Sequence, residues 1–228
     1  MSHKNSKSKM KKIKITLLFL FFVGTLIGQE KPPFWDDIQA FKHQDSGQAP
    51  PQHAILFVGS SSFTKWKDVQ DYFPGYTIIN RGFGGSSLPD LIRYENDVIF
   101  KYKPKQIVMY CGENDLAASD TVTAQMVFNR FQKLFTDIRK RFPNIPFVYI
   151  SIKPSPSRWQ LREKMKAANT QIRNFLSKKK NTAFVDVYHK MLGPDGTPIK
   201  EIYEEDNLHM NAKGYSIWKK EIQSHLLR

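Results

Sequence analysis

The chain has 228 residues, 40% of them hydrophobic and 13% aromatic, with 35 basic against 21 acidic side chains and a formal charge of +14. That length accommodates one domain with a full core, and that apolar content excludes a disordered polymer. A single cysteine, Cys111, excludes an internal disulfide, so stability has to come from packing.

The charge is unevenly spread. Lys4, Lys7, Lys9, Lys11, Lys12 and Lys14 fall within residues 1–28, which carry no acid, and leave 29 basic against 21 acidic residues beyond them. They precede the apolar run ITLLFLFFVGTLI, Ile15 to Ile27. A basic stretch followed by a short apolar one reads as a secretory signal, and a membrane span would need about 20 residues. Residues 1–28 are therefore expected to be a signal peptide, with a secreted or periplasmic product and no stable membrane span after cleavage. Gly28 suits the last position before a cleavage site, although Leu26 is bulky for its place. No cysteine follows the run, which argues against a bacterial-type lipid anchor.

Residues 29–52 read as a short helix near 33–41 and a linker, KHQDSGQAPPQ, over 42–52; the folded domain occupies 53–228. Within it AILFV (54–58), YTIIN (76–80), QIVMYC (106–111), PFVYISI (146–152) and TAFVDV (182–187) are short apolar runs bounded by Gly, Pro or Asn, as buried strands are. Between and after them, 87–102, 121–142, 158–178 and 211–227 repeat apolar residues at three and four, the inward stripe of an amphipathic helix. Strand–helix alternation of this kind predicts an α/β fold with a parallel sheet covered on both faces. No internal repeat interrupts it.

Ligands of such sheets sit at the carboxyl ends of the strands, so the residues just beyond each strand matter most. They are Gly59-Ser60-Ser61-Ser62, then Arg81-Gly82-Phe83-Gly84-Gly85-Ser86, then Gly112-Glu113-Asn114-Asp115, and finally Asp206-Asn207-Leu208-His209 in a late loop. A serine hydroxyl needs a base to become a nucleophile, and His209, oriented by Asp206, can be that base. A tetrahedral intermediate needs donors for its oxyanion, which a glycine backbone at Gly85 and the Asn114 amide can supply.

These four blocks resemble the SGNH (or GDSL) hydrolases, named for Ser, Gly, Asn and His in separate segments. The resemblance spans 54–228. By that family's Gly-Asp-Ser pattern the nucleophile is Ser61, near a helix N-terminus, while Ser60 stands where aspartate is usual. The resemblance implies a three-layer flavodoxin-like fold of about five parallel strands and ester hydrolysis without a cofactor. It also implies the triad Ser61, Asp206 and His209, with Ser61, Gly85 and Asn114 around the oxyanion. The asparagine and paired glycines of NRGFGG are most similar to the acetylhydrolase branch, which points to small acyl groups; for an exported enzyme, O-acetylated glycans are then the expected substrates. A lipid acylhydrolase, of lysophospholipase or platelet-activating-factor acetylhydrolase type, and a non-catalytic glycan-binding module are the alternatives. Phe83, Arg158, Trp159 and Leu208 are expected near the same edge, as pocket lining.

Plainer roles stand beside these. A Gly-Ser-Ser-Ser run is often only a flexible turn, and Asn114 and Asp115 could merely cap one. The glycines do not make a dinucleotide fingerprint, because Ser87 stands where its third glycine would be. An α/β-hydrolase elbow would need glycine where Phe63 stands. Cys111 lies inside an apolar strand, as a small buried hydrophobe does. EEDNLH offers too few ligands for a metal site. The lysines at 101, 103 and 105 and at 178–180 lack aromatic interleaving, so no nucleic-acid partner is expected.

Overall fold

The computed structural model describes residues 30–228, so the expected signal peptide lies outside the described residues. Helix α1 spans Trp35–Gly47 and is followed by strand β1, Ile55–Gly59, and the single turns α2, Ser61–Thr64, and α3, Val69–Tyr72. Then come β2, Ile78–Gly82; α4, Leu88–Arg93; β3, Gln106–Tyr110; α5, Glu113–Ala117; and α6, Ala124–Arg141. The chain closes with β4, Phe147–Ile150; α7, Arg162–Leu176; β5, Thr182–Val185; and α8, Ala212–Gln223.

The five strands form one all-parallel sheet in the order β2-β1-β3-β4-β5. Successive strand residues face opposite sides, and each side finds its own cover. Leu56, Val58, Ile107, Met109, Phe147 and Tyr149 pack with residues of α1, α4, α6 and α7. Ile55, Phe57, Val108, Tyr110, Val148 and Ile150 pack with Phe63, Trp66 and the apolar stripe of α8, namely Tyr215, Trp218 and Ile222. These three layers match the predicted class, and both faces of the central strands are dry, which explains why their sequences are apolar without alternation.

Two elements differ from expectation. The predicted helix 87–102 is broken: α4 ends at Arg93, and Asn96–Phe100 winds as a wider π-helical turn. Residues 42–47, expected in the linker, are instead the last turns of α1. The cause is Asp45. Its carboxylate is buried against the Arg81 guanidinium, accepts from the Tyr102 hydroxyl at 2.7 Å and pairs with Lys101 at 2.5 Å, which ties the helix end to β2.

Chain order turns around β1, which lies between β2 and β3. Gly59 is in register with Gly82 on one side and Tyr110 on the other. The loops leaving these three strands therefore start from one sheet edge, at the switch point where open α/β sheets hold ligands.

Candidate active site

Gly59 ends β1 in a conformation that only glycine takes easily. Its φ is 153°, and a Cβ there would fall 1.9 Å from the carbonyl oxygen of Tyr110. The Ser60 N–H donates to that same carbonyl at 3.1 Å, and the chain then enters α2 at Ser61. Ser60 is buried, whereas Ser61 is half-buried at the rim. Because α2 is a single turn, the dipole behind Ser61 is that of one turn only.

The turn after β2 hangs on the end of β1. The Phe83 N–H and the Ser86 hydroxyl both donate to the Gly59 carbonyl, at 3.0 and 3.2 Å. This leaves Gly85 exposed with φ at 85°, in the left-handed region. Among the described residues, neither the Ser61 nor the Gly85 N–H donates a hydrogen bond.

Asn114, at the start of α5, lies between these two segments. Its Nδ2 donates to Ser60 Oγ at 2.7 Å and to the Ser86 carbonyl at 3.0 Å. Its Oδ1 accepts from Arg158 at 2.9 Å. A guanidinium can only donate, so Arg158 fixes which end of the amide faces the serines. Both amide hydrogens are engaged inside the protein.

The late loop is built around Asp206. Its Oδ1 accepts from the N–H groups of Leu208 and His209, each at 2.9 Å, and its Oδ2 lies 2.5 Å from His209 Nδ1. Burial raises the Asp206 pKa, but the hydrogen bonds from the His209 ring and from the two backbone N–H groups outweigh it and hold the carboxyl at about 2. An ionised Asp206 makes Nδ1 the protonated nitrogen of a neutral ring and leaves Nε2 as the free base. The loop is pinned by Lys153, which donates to the Leu208 carbonyl at 2.8 Å, and by the Ser157 N–H, which donates to the Asn207 carbonyl at 3.1 Å.

What brings this loop toward Ser61 is α8, which begins just after it. Tyr215 donates to the Ser62 carbonyl at 2.9 Å, and Trp218 meets Phe63 edge-on at 6.1 Å. A cavity of about 560 Å³ lies beside this contact, lined by Asp206, His209, Tyr215, Lys65, Asp68 and Tyr72 but not by Ser61. Ser61 and His209 are not hydrogen-bonded to each other in the structure; catalytic hydrogen bonds of this type commonly tighten on substrate binding.

A buried ionic cluster lies behind the site, and sequence reasoning missed it. Glu113 and Lys153 pair at 3.1 Å with side chains only 6% and 1% exposed. Arg158 joins Glu113 at 3.2 Å, and Tyr110 donates to it. Two cations against one carboxylate leave a net positive charge behind Asn114. Burial pushes the Lys153 pKa down, and Glu113 only partly offsets this. The available signal is a charged residue three positions beyond each of two buried strands, in GEND and in ISIKP.

Of the four expected lining residues, Phe83 is fully buried in the core and cannot wall an open pocket. Its place inside a glycine-rich turn points to the rim, but its own N–H is anchored to the Gly59 carbonyl and its ring is fully buried. Trp159 is half-buried against the core and carries Arg162 over its ring at 5.5 Å. Leu208 is half-buried, and Arg158 faces Glu113 and Asn114. Asp115 is wholly buried, where it accepts from the Leu88 N–H at 2.9 Å and pairs with Arg130 at 2.8 Å. Burial raises the Cys111 thiol pKa well above its usual value, which makes it a poor nucleophile.

Residues 46–217 match the GDSL-like lipase/acylhydrolase family. The chain belongs to that family. GDSL-like proteins of this kind are carboxylic ester hydrolases, and solved structures agree on the fold. A Streptococcus pneumonia protein provisionally described as a platelet activating factor superposes with a TM-score of 0.73 at 21% identity, covering 84% of this chain and 92% of its own. A Bacteroides fragilis protein provisionally described as an acylhydrolase gives 0.71 at 21% identity, covering 86% and 97%. A catalytic mutant of an acetylxylan esterase from Geobacillus stearothermophilus gives 0.61 at 14% identity, covering 76% and 93%. A search of curated proteins returns no match.

Proposed function

We propose that this GDSL-like hydrolase is an exported serine esterase that removes short acyl groups, acetyl foremost, from O-acylated glycans. The observation that carries the reading is the Asp206–His209 pair, held at 2.5 Å in the loop before α8, whose Tyr215 donates to the carbonyl of Ser62 beside Ser61. Ser61 Oγ attacks the ester carbonyl while His209 Nε2 takes its proton. The oxyanion is received by the free N–H groups of Ser61 and Gly85. Asn114 becomes the third donor by exchanging its bond to the neutral Ser60 hydroxyl for a stronger one to a charged oxygen. The intermediate collapses as His209 returns the proton to the leaving alcohol. Water then attacks the acyl-enzyme, giving one proton to His209, and Ser61 is restored as the acid departs.

The glycan assignment draws on the polar wall of the cavity beside His209, which carries Lys65, Asp68, Glu204 and Glu205 and suits a hydroxyl-rich leaving group more than a lipid. Export rests on the basic and apolar pattern of residues 1–28. The test is a panel running from acetylated xylan and pectin to short- and long-chain acyl lipids, with Ser61→Ala in parallel. Deacetylation by the parent and none by the variant is expected; activity that survives in Ser61→Ala rejects the nucleophile, and a lipid preference rejects the glycan.

A further inference from the structure

Phe34 holds a backbone conformation that its side chain does not favour. Its φ and ψ are 65° and 11°, in the left-handed region, where a residue with a Cβ costs about 1–2 kcal/mol. Such an outlier persists only where its surroundings over-determine it, and it is a reasonable pointer to function. Here the surroundings are explicit. The Tyr94 hydroxyl donates to the Pro33 carbonyl at 2.8 Å, and the Trp35 N–H closes a turn onto Pro32 at 3.1 Å. The Ile38 N–H caps back onto Phe34 itself, and Ile38 is fully buried. The Phe34 ring is thereby set edge-on to Phe83, with centroids 5.3 Å apart.

The outer edge of that ring, at Cε1 and Cζ, lies beside Gly85. A Cβ placed on Gly85 would meet Phe34 Cε1 at 3.7 Å, ordinary contact distance. An ester oxygen received by the Gly85 N–H would stand about 3 Å from that nitrogen, so the carbons attached to its carbonyl fall within reach of the ring. The two faces of the sheet decide which carbons these are. The leaving alcohol must lie toward His209, which returns its proton, and α8 beyond that loop packs on one face. Phe34 packs on the opposite face. The acyl substituent therefore points toward Phe34.

We propose that Phe34 is the wall of the acyl site and sets the length of acyl chain the enzyme accepts, a proposal that rests on the Ser61–Gly85 reading above. Phe34 is the N-cap of α1, ahead of the segment 46–217 that matches the family, so this wall is contributed by the chain's own N-terminal extension of the domain. It takes over the place expected for Phe83, which serves as its backing.

The decisive variants are Phe34→Gly, which removes the ring while keeping a residue that favours the left-handed conformation, and Phe34→Trp, which enlarges it. Each is assayed by kcat/KM on p-nitrophenyl acetate, butyrate and octanoate, with melting temperature as the check on folding. Phe34→Gly should raise the octanoate-to-acetate ratio about tenfold or more, a methylene-scale discrimination multiplied along the chain. Phe34→Trp should lower the butyrate-to-acetate ratio severalfold. Ratios within twofold of the parent in the folded variants overturn the proposal, and if Phe34→Gly does not fold, an unchanged ratio in Phe34→Trp does so alone. Ser61→Ala separates the two levels: a flat chain-length profile with a dead Ser61→Ala enzyme sinks only the wall, whereas a live one sinks the catalytic assignment beneath it.

Discussion

Lys153→Met should cost this protein about 3 kcal/mol, because it breaks a buried ion pair. The Lys153 and Glu113 side chains are 1% and 6% exposed, and they lie 3.1 Å apart. Removing one partner of a buried pair typically costs 3–5 kcal/mol, because the other charge stays buried without it. Glu113 keeps Arg158 at 3.2 Å and the Tyr110 hydroxyl, which places the loss at the low end. For a chain of this size that is a fall in Tm of about 6–12 °C. Adding Glu113→Gln removes the stranded charge while sparing the Tyr110 hydrogen bond. The double variant should therefore recover about half of the loss, a non-additivity that two independent sites would not give. Calorimetry of the four proteins measures this directly. A Tm drop under 2 °C for Lys153→Met, or strictly additive losses, refutes the account of the cluster. The same lysine holds the Leu208 carbonyl next to His209, so Lys153→Met should also lower kcat more than it raises KM.

The remaining predictions concern the triad and the amide. Asp206→Asn should reduce kcat about 10³–10⁴-fold by releasing the imidazole from its tautomer, read as turnover at neutral pH with Tm preserved. The same substitution tests the linkage. The folded-state pKa of Asp206, about 2, lies below its unfolded value, so its contribution to stability is present above pH 4 and is lost as pH falls toward 2. The side chain is 47% exposed and screened, which keeps that contribution below about 1 kcal/mol. Between pH 4 and 2 the parent should lose slightly more Tm than Asp206→Asn, and parallel curves would contradict the shift. Asn114→Ala should lower kcat about 10²-fold or more with little change in KM; a loss of a few-fold would return that amide to a purely structural role.

Much of this protein could be read in advance wherever the signal is local. The five strands stand out because both sheet faces are dry, and the four blocks stand out because each follows a strand. Local pattern was nonetheless insufficient for the dyad. Asp186-Val187-Tyr188-His189 repeats the Asp-x-x-His spacing, and there too the aspartate accepts from the histidine N–H, at 3.2 Å, and lies 2.8 Å from its Nδ1. Asp206 also accepts from the Leu208 N–H, whereas the equivalent Tyr188 N–H donates to Ser151 at 3.0 Å, and the surroundings differ further. His189 is 64% exposed and its aspartate is shared with Arg173, whereas His209 is 18% exposed, with its loop held by Lys153 and its following helix against α2. A tetrapeptide can build the hydrogen bonds, but the address comes from Tyr215 meeting Ser62, 153 positions before it. The same distinction accounts for the elements that sequence reasoning missed. The end of α1 depends on Asp45 meeting Arg81 and Tyr102, 36 and 57 residues on, and its own apolar pattern is weak. The conformation of Phe34 depends on Tyr94, 61 residues from the carbonyl it holds. Charge pairing and backbone strain are resolved only when the sheet has gathered their partners, so the residues that tune this site are those a linear pattern is least able to mark.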